Sequence, residues 1–470
     1  MNEVTPGKLP RPTLDPGFVP AVLWNRLYRK RCDADSRSLP LSLALERPDG
    51  TTFAYRTKVL PWSPDTSADT VRYVERLVKF LLWQKGGSTI HVGGPPEIGA
   101  AIADAYREGG TRAFDNELIG VKVFQQPLQV VNCAEAEVPA AREQSIVLGR
   151  HLDGCRVGFD LGGSDRKSAA VVDGEVVFSE EVPWSPYFEK DPQYHYDGIR
   201  DSIERAARHL PRVDAIGGSA AGVYVNSEPC VASLFRGVSD TDFQRHVRPM
   251  FSRLQSERGN VPFEVVNDGE VTALAGSMSI KDNALLGVAM GTSLAAGYCN
   301  AEGNITPWLN ELAFVPVDYR LDAPADEWSG DVGCGVQYFS QQAVARLAPS
   351  AGIDFADDVP FPERLKAVQE RMERDDPAAR RIYETIGVYF GYTLAWFAEF
   401  YETRHLLLLG RVTSGEGGAV IIREGQRVLN AVSPELGAAV AISTPDEQLK
   451  RHGQAIAAAS LPEIESEGSG

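Results

Sequence analysis

Three glycine-rich turns in this chain carry residue types that suit phosphate binding. The first is "DLGGSDRK", in which Asp160 ends a run of strand-forming residues and is followed by Gly162, Gly163 and Ser164. Backbone N–H groups bind phosphate oxygens, and glycine lets the chain approach them closely. A carboxylate beside such a turn fits a divalent cation held between it and the phosphate. A tight hairpin with a solvated aspartate is the alternative interpretation of this turn alone.

The other two turns repeat the pattern further along the chain. The second, "VAMGTSLAAG", places Gly291 and Thr292 between two strands. The third, "LLLLGRVTSGEGG", is a loop that opens a helix and contains Gly410, Gly417 and Gly418. Their recurrence favours phosphate binding over an isolated hairpin.

An acidic residue lies at a strand-to-helix junction between the first two turns. In "VVNDGEVTALAG" this residue is Asp268. Asparagine and aspartate are preferred helix caps, so Asp268 could be a cap. It could equally be a general base that accepts a hydroxyl proton as phosphoryl transfer begins.

The elements that position these residues alternate between strands and helices. "RVGFDLGG", "SAAVVDG" and "EVVFSEEVPW" predict a three-stranded meander, and strand–helix pairs follow it to the end of the chain. A long helix is predicted at residues 376–401 and a last one at 444–462. Residues 67–135 form an α/β pattern of their own, beginning with a helix that Gly86 and Gly87 end. Residues 1–66, with frequent prolines, are expected to be irregular.

Composition narrows the class of protein. A chain of 470 residues predicts two or three domains. A net charge of -17 argues against a nucleic-acid partner, and the one dense basic run, "RLYRKR", is interpreted as a solvated face. The most apolar helix carries four charged residues, which argues against a membrane span. Six scattered cysteines and a polar, proline-rich N-terminus without a signal-peptide pattern favour a cytoplasmic protein with free thiols.

The order of the four motifs resembles the sugar kinase, heat-shock ATPase and actin superfamily, and within it the ROK family (repressors, open reading frames and kinases). "DLGGSDRK", "NDGEVTALAG", "MGTSLAAG" and "GRVTSGEGG" are similar to that family's motifs, over about residues 155–460. The resemblance implies an α/β fold of two RNase H-like lobes around a cleft. ATP and Mg²⁺ would bind there, opposite a hydroxyl-bearing substrate.

The resemblance also implies a role for each motif residue. Asp268 would be the base, Asn267 would help hold the substrate, and Asp160 would lie near Mg²⁺ and hold it through water. The phosphates and the adenosine would be contacted by Gly162, Gly163, Ser164, Gly291, Thr292, Gly410, Gly417 and Gly418. Lys167 is either a phosphate ligand or a surface strand residue, and we favour the surface.

The sequence departs from the family pattern where the sugar should bind. Glu311 of "NELAFVPVD" is kept, but Phe314 stands where the family has a histidine. In "GDVGCGVQYF" only Cys334 remains of a zinc loop, and Val336 occupies the expected glutamate position, so no structural zinc is predicted. Arg236 near the sugar-contact loop suggests an anionic or unusual substrate, although it could simply pair with a surface acid.

These observations predict an organisation and a function. Residues 1–150 would be an accessory α/β region, 151–270 a first lobe with the helix at 445–462 packed on it, 271–445 a second lobe and 463–470 a disordered tail. The leading hypothesis is an ATP-dependent kinase of a sugar-like substrate. The alternative is a non-catalytic nucleotide or sugar sensor on the same fold. A DNA-binding regulator is disfavoured by the charge and by the lack of a winged-helix pattern. No membrane partner is expected, and a homodimer is compatible with these features without following from them.

Overall fold

The computed structural model describes residues 9–143, 148–445 and 453–464. The strands are β1 Leu39–Glu46, β2 Thr52–Val59, β3 Thr89–Gly93, β4 Gln129–Cys133, β5 Cys155–Leu161, β6 Asp165–Val172, β7 Glu175–Pro183, β8 Ala215–Ala220, β9 Val223–Val225, β10 Glu228–Val231, β11 Phe263–Asn267, β12 Leu285–Met290, β13 Leu294–Cys299, β14 His405–Leu409 and β15 Ala441–Ser443. The α-helices are α1 Ala21–Ala34, α2 Ser67–Lys85, α3 Pro96–Tyr106, α4 Ala113–Asp115, α5 Pro192–Ala207, α6 Asp240–Asp242, α7 Met250–Glu257, α8 Asp268–Ile280, α9 Gln341–Leu347, α10 Phe361–Met372, α11 Pro377–Phe397, α12 Glu416–Val432, α13 Pro434–Ala439 and α14 Gln454–Ala459.

The chain divides into two compact units. Of the described residues, the first unit takes 9–143, 288–295 and 308–442, and the second takes 148–287, 296–307, 443–445 and 453–464. This division differs from the predicted separate region at 1–150. The N-terminal segment packs within the first unit because the Phe18 and Tyr389 ring centres lie 4.6 Å apart and Arg29 pairs with Glu399 at 2.8 Å.

The second unit is built on a five-stranded sheet in the order β11-β8-β5-β6-β7. Strands β5, β6 and β7 are antiparallel neighbours, which confirms the predicted meander, whereas β8 and β11 run parallel to β5. Helix α14 lies against β5 and β8. The approach requires glycine, since a Cβ added at Gly158 or Gly217 would collide with the α14 backbone.

The first unit contains a four-stranded sheet in the order β2-β1-β3-β4. Helix α2 matches the predicted helix, and Gly86 ends it with a φ of 78°. The expectation of irregular structure at residues 1–66 is wrong, because α1 and the β1–β2 hairpin lie there. A further sheet has the order β13-β12-β14-β15.

Two predicted boundaries at the C-terminus are only partly described. Of the helix predicted at 444–462, residues 446–452 lie outside the described residues, and α14 covers Gln454–Ala459. Residues 465–470 of the predicted tail also lie outside them. Where the chain is described, no helix has the length and apolar character needed to cross a membrane.

Candidate functional site

Polar side chains gather at the carboxyl ends of three parallel strands in the second unit. Asp160 of β5 pairs in register with Ser219 of β8, and Asn267 of β11 pairs with Ala220 of β8. Asp268 follows Asn267 directly. Carboxyl ends of parallel strands are where open α/β sheets bind ligands, so this edge is the candidate site.

Asp160 is a buried carboxylate with two neighbours. Its side chain is about one-tenth exposed, its Oδ1 accepts a 2.7 Å hydrogen bond from the Ser219 hydroxyl, and burial raises its pKa. Across the β5–β6 hairpin, the Lys167 Nζ lies 3.8 Å from Asp160 Oδ2 and 3.6 Å from Asp165 Oδ1. The structure therefore places Lys167 beside Asp160, with only 24% of its side chain exposed, instead of on an open surface.

Asp268 is the first residue of α8, but it is not the cap of that helix. The cap is Asn267, whose Oδ1 accepts a 2.7 Å hydrogen bond from the Gly269 N–H. Burial, and then the nearby negative charge of Asp160, raise the pKa of Asp268 to about 6. A carboxyl group with a pKa near neutrality is suited to accept a proton.

Asn267 has a structural role in addition to the substrate contact predicted for it. Its Nδ2 donates a 2.6 Å hydrogen bond to the Gly222 carbonyl, which holds the start of the β9–β10 hairpin against the end of β11. The side-chain oxygen and nitrogen of Asn267 are therefore both used in hydrogen bonds within the protein. The predicted contact with substrate stays a prediction.

Tyr224, on β9, is a residue of this edge that no sequence motif indicated. Its hydroxyl is inaccessible to solvent and has no hydrogen-bond partner among the described residues. Burial, and then the charge of Asp268, raise its pKa. A buried phenol normally finds a partner, so this hydroxyl is an unusual polar atom next to Asp268.

The Gly162–Ser164 turn joins β5 to β6. The Gly162 N–H donates to the Asp165 carbonyl at 2.9 Å, and Trp184 Nε1 donates to the Gly162 carbonyl at 2.7 Å. The N–H groups of Gly163 and Ser164 have no acceptor in the part of the chain that is described. Two such unpaired donors leave the turn able to bind an anion.

Gly163 has a packing role as well. A Cβ added there would collide with the phenol of Tyr187, which lies directly on the turn. The Arg236 guanidinium lies 4.2 Å from the Tyr187 ring and 4.6 Å from that of Phe188. The expected alternative, a pairing of Arg236 with a surface acid, is not found among the described residues, where no carboxylate lies within 4 Å of it.

The second predicted turn lies in the first unit. The Gly291 N–H donates to the Ser293 carbonyl at 2.9 Å, and the Gly291 carbonyl accepts from the Gln341 N–H at 2.9 Å. A Cβ added at Gly291 would meet nothing nearer than 3.8 Å, and Thr292 is exposed. Packing therefore does not explain this glycine, and the space beside it is open.

The three glycines of the third turn are explained by packing. Gly410 has a φ of 103° and lies against the backbone of Met290, while added Cβ atoms at Gly417 and Gly418 would collide with Tyr383 and with the Thr413 carbonyl. Their predicted adenosine contacts stay predictions.

The expected sugar-contact residues of the first unit lie around a buried aromatic cluster. The Phe314 ring centre lies 4.4 Å from that of Trp83 and 5.4 Å from that of Phe114, and the rings are tilted against each other. The Glu311 N–H donates to the Trp83 carbonyl at 3.0 Å, so Glu311 begins the same segment. Phe314 thus contributes to the core at the position where a histidine was expected.

The remnant of the zinc loop is buried among charged groups. Cys334 is fully buried, which raises the pKa of its thiol to about 12. Val336, at the expected glutamate position, is buried too. Within the described residues no group of three or more histidine, cysteine or acidic side chains could hold a metal ion.

The residues near Asp160 provide oxygen donors of the kind that Mg²⁺ prefers, but few of them. Asp160 keeps one oxygen on Ser219 and the other near Lys167. Magnesium in nucleotide sites typically takes one or two carboxylates and completes its coordination with phosphate and water. These residues therefore fit Mg²⁺ only if phosphate and water complete its coordination.

Comparison with known proteins places this geometry in a fold. No protein-family profile matches the sequence, and no curated protein matches it. The structure is similar to the ROK hexokinase of Thermus thermophilus, with a TM-score of 0.51 and 20% identity over 65% of this chain and 98% of that chain. It is also similar to a ROK family transcriptional regulator, a homologue of the E. coli MLC protein, with a TM-score of 0.51 and 17% identity over 66% of this chain and 79% of that chain.

The fold is therefore the mixed α/β fold of the sugar kinases. Within that class it is the ROK fold, as the four sequence motifs predicted. About a third of the chain lies outside these matches. The two similar proteins have different functions, so the function of this chain is argued from its own residues.

Proposed function

We propose that this protein is an ATP-dependent kinase that transfers the γ-phosphate to a hydroxyl group of a sugar or sugar-like substrate. The observation that carries the proposal is the pair formed by Asp268 and Asp160 at one sheet edge. Burial and the charge of Asp160 bring the pKa of Asp268 to about 6, within the range that suits a general base. The fold, shared with a hexokinase, supports the same conclusion.

In the proposed reaction Asp268 accepts the proton of the acceptor hydroxyl. The acceptor oxygen forms a bond to the γ-phosphorus, the bond from that phosphorus to the leaving oxygen breaks, and ADP leaves. Little else is required of the protein, because phosphoryl transfer depends mainly on positioning and on electrostatic stabilisation. Mg²⁺, when bound with ATP, would neutralise charge on the phosphates, with Asp160 holding it through water.

Lys167 and the Gly162–Ser164 turn would bind phosphate oxygens from the second unit. The Lys167 ammonium is farther than hydrogen-bond distance from both of its carboxylate neighbours, so it can still bind an anion. The unpaired N–H groups of Gly163 and Ser164 lie at the same turn. Gly291 and Thr292 are proposed to contact phosphates as well, and Asn267 and Glu311 to contact the acceptor.

The test is ADP formation by the purified full chain with ATP and Mg²⁺ on a panel of sugars, amino sugars, polyols and sugar acids. Asp268→Asn should still bind ATP and should lose turnover by about a thousandfold or more, since a base is removed from an otherwise intact site. Near-wild-type turnover by the variant on a true substrate would show that Asp268 is not the base.

The alternative function is a nucleotide or sugar sensor without catalysis. The observation that favours it is Phe314, which is packed in the core at the position where the resemblance predicted a sugar ligand. A sensor would bind ATP and change its melting temperature without forming ADP on any member of the panel.

Six unpaired cysteines fit the proposed location in a reducing cytoplasm.

A further inference from the structure

Arg236 is held in an unusual environment for an exposed arginine. It follows a short helical turn at residues 233–235, and its guanidinium stacks against both the Tyr187 and the Phe188 ring. Phe188 is 76% exposed, so it contributes little to the core and much to this stack. Aromatic faces attract guanidinium groups and restrict their movement.

The stacked guanidinium lacks an acidic partner in an acidic chain. The sequence has 64 acidic against 47 basic residues, yet among the described residues no carboxylate lies within 4 Å of Arg236. Among the described residues its side-chain N–H groups, five donors in a planar fork, also make no hydrogen bond. An arginine fixed in this way is prepared to bind a carboxylate or phosphate group.

The same aromatic ring connects Arg236 to the Gly162–Ser164 turn. Tyr187 packs on Gly163 with one part of its phenol and carries the guanidinium 4.2 Å from its ring centre. Gly163, whose N–H group is unpaired among the described residues, and Arg236 are therefore neighbours of the same phenol ring. Backbone N–H groups and a guanidinium are both donors that bind anions.

We propose that Arg236, stacked on Tyr187 and Phe188, binds an oxyanion of a ligand at the Gly162–Ser164 turn. The inference rests on the proposed function for the identity of that ligand. The oxyanion is either the carboxylate or phosphate of an anionic acceptor, such as a sugar acid or sugar phosphate, or a phosphate group of the nucleotide. Arg236 would then determine specificity in the first case and nucleotide affinity in the second.

Calorimetric titration of the full chain separates the two sources. The probes are glucuronate and glucose 6-phosphate as anionic acceptors, glucose as a neutral one, and the non-hydrolysable analogue AMPPNP. Arg236→Ala should weaken binding of either the anionic sugars or AMPPNP by about tenfold or more and leave glucose unchanged. Arg236→Lys should recover only part of the affinity, because an ammonium lacks the planar fork.

Two further variants make the test specific. Arg245→Ala removes an exposed arginine elsewhere in the same unit and should change none of the affinities. Phe188→Ala removes half of the stack without disturbing the core and should weaken the same probe as Arg236→Ala, by a smaller factor. Affinities within twofold of wild type for every probe in Arg236→Ala, or no binding of any anionic probe by the wild type, would overturn the inference.

A separate ADP assay keeps this inference distinct from the proposed function. If no acceptor is phosphorylated but Arg236→Ala still weakens anion binding, kinase activity is refuted and the anion site stands. If the wild type phosphorylates a sugar and Arg236→Ala binds every probe normally, the anion site alone is refuted.

Discussion

Asp160 and Lys167 are paired across the β5–β6 hairpin, with 3.8 Å between Asp160 Oδ2 and Lys167 Nζ. The contact is too long for a hydrogen bond, and Lys167 is shared with Asp165 at 3.6 Å. The ammonium thus balances two carboxylates without being fixed to either. This arrangement leaves it available to a third negative group.

Lys167→Met should raise the KM for ATP by about tenfold or more, because a charge-assisted contact to phosphate is lost. Steady-state kinetics with varied ATP measure this effect. Lys190→Met, an exposed lysine in the same unit, is the matched control and should leave the KM unchanged. An unchanged KM in Lys167→Met, accompanied by lower stability, would show that Lys167 is only a counterion for Asp160.

The activity should fall on acidification with an apparent pKa near 6. Asp268 accepts a proton only while it is ionised, and burial together with Asp160 raises its pKa to about 6. The quantity to measure is kcat/KM for the acceptor at saturating ATP between about pH 4.5 and pH 8.5. A profile that stays flat down to about pH 4.5 would contradict the raised pKa.

The same raised pKa should make Asp268 a destabilising residue above neutral pH. Its pKa is above the ordinary value of 3.8, so the ionised form is penalised in the folded protein, fully above pH 6 and not at all well below pH 4. Asp268→Asn should therefore be more stable than wild type at pH 8 by about 1–3 kcal/mol, after allowance for its partial exposure. Denaturant unfolding should show this gain shrinking as the pH falls from 6 to 4.

Asp354→Asn is a suitable control for that experiment, because Asp354 is exposed in the other unit. It should show no comparable change with pH. A gain in Asp268→Asn that is the same at pH 8 and pH 4.5 would mean that ionisation is not its cause.

Gly163→Ala should disturb Tyr187, since the added methyl group would occupy the place of the phenol. Tyr187→Ala should then relieve the clash, so the double variant tells packing from ligand binding. If Gly163 serves only to accommodate Tyr187, the double variant binds ATP as Tyr187→Ala alone does. If phosphate must approach the Gly163 backbone, ATP binding by the double variant stays weaker, which is the result we expect.

Lys79 lies in a buried charge cluster of the first unit, and we expect its removal to lower the stability of the protein markedly. The Lys79 Nζ donates to Asp115 at 2.7 Å and to Asp331 at 2.5 Å, and all three side chains are buried. Lys79→Met leaves the buried Asp115 without an ionic partner and leaves Asp331 paired with Arg112 alone, so it should lower the free energy of unfolding by about 3–5 kcal/mol. Urea denaturation measures the loss.

Two variants give that prediction its controls. Lys58→Met breaks an exposed pair with Asp33 and should cost about 0–1 kcal/mol. Adding Asp115→Asn to Lys79→Met removes the carboxylate that has lost its ionic partner and keeps an acceptor for Trp83 Nε1, so stability should partly return. A double variant less stable than Lys79→Met would show that the charges are not the cause.

The sequence predicted those features that depend on local pattern. The meander β5–β7 and helix α2 follow from apolar periodicity and from glycines at their ends. The meeting of Asp160 with the start of α8 was implied only by the family resemblance, and its physical reason is that β5, β8 and β11 run parallel and end at one edge. The ROK fold followed from the order of four motifs, none of which is specific alone.

Other features depend on contacts between distant segments, and local sequence patterns do not predict them. Helix α1 was missed because prolines surround it and a basic run covers its exposed side; Arg29 of that run pairs with Glu399, 370 residues later. The position of Lys167 depends on the register of the β5–β6 hairpin, because a one-residue shift would move its side chain to the other face of the sheet. Nothing local indicated that Tyr187 lies on Gly163 or that the hydroxyl of Tyr224 is unpaired.

Asn267 caps helix α8 and Asp268 is the proposed base, and this separation of roles has a practical consequence. Because the neighbouring amide fastens the start of α8, the carboxylate can be changed to an amide without loosening the helix. An Asp268→Asn protein should thus stay folded and turn over slowly, so that it can be used to capture the acceptor. Immobilised with a nucleotide analogue, it could retain the natural acceptor from a metabolite extract long enough for mass spectrometry to identify it.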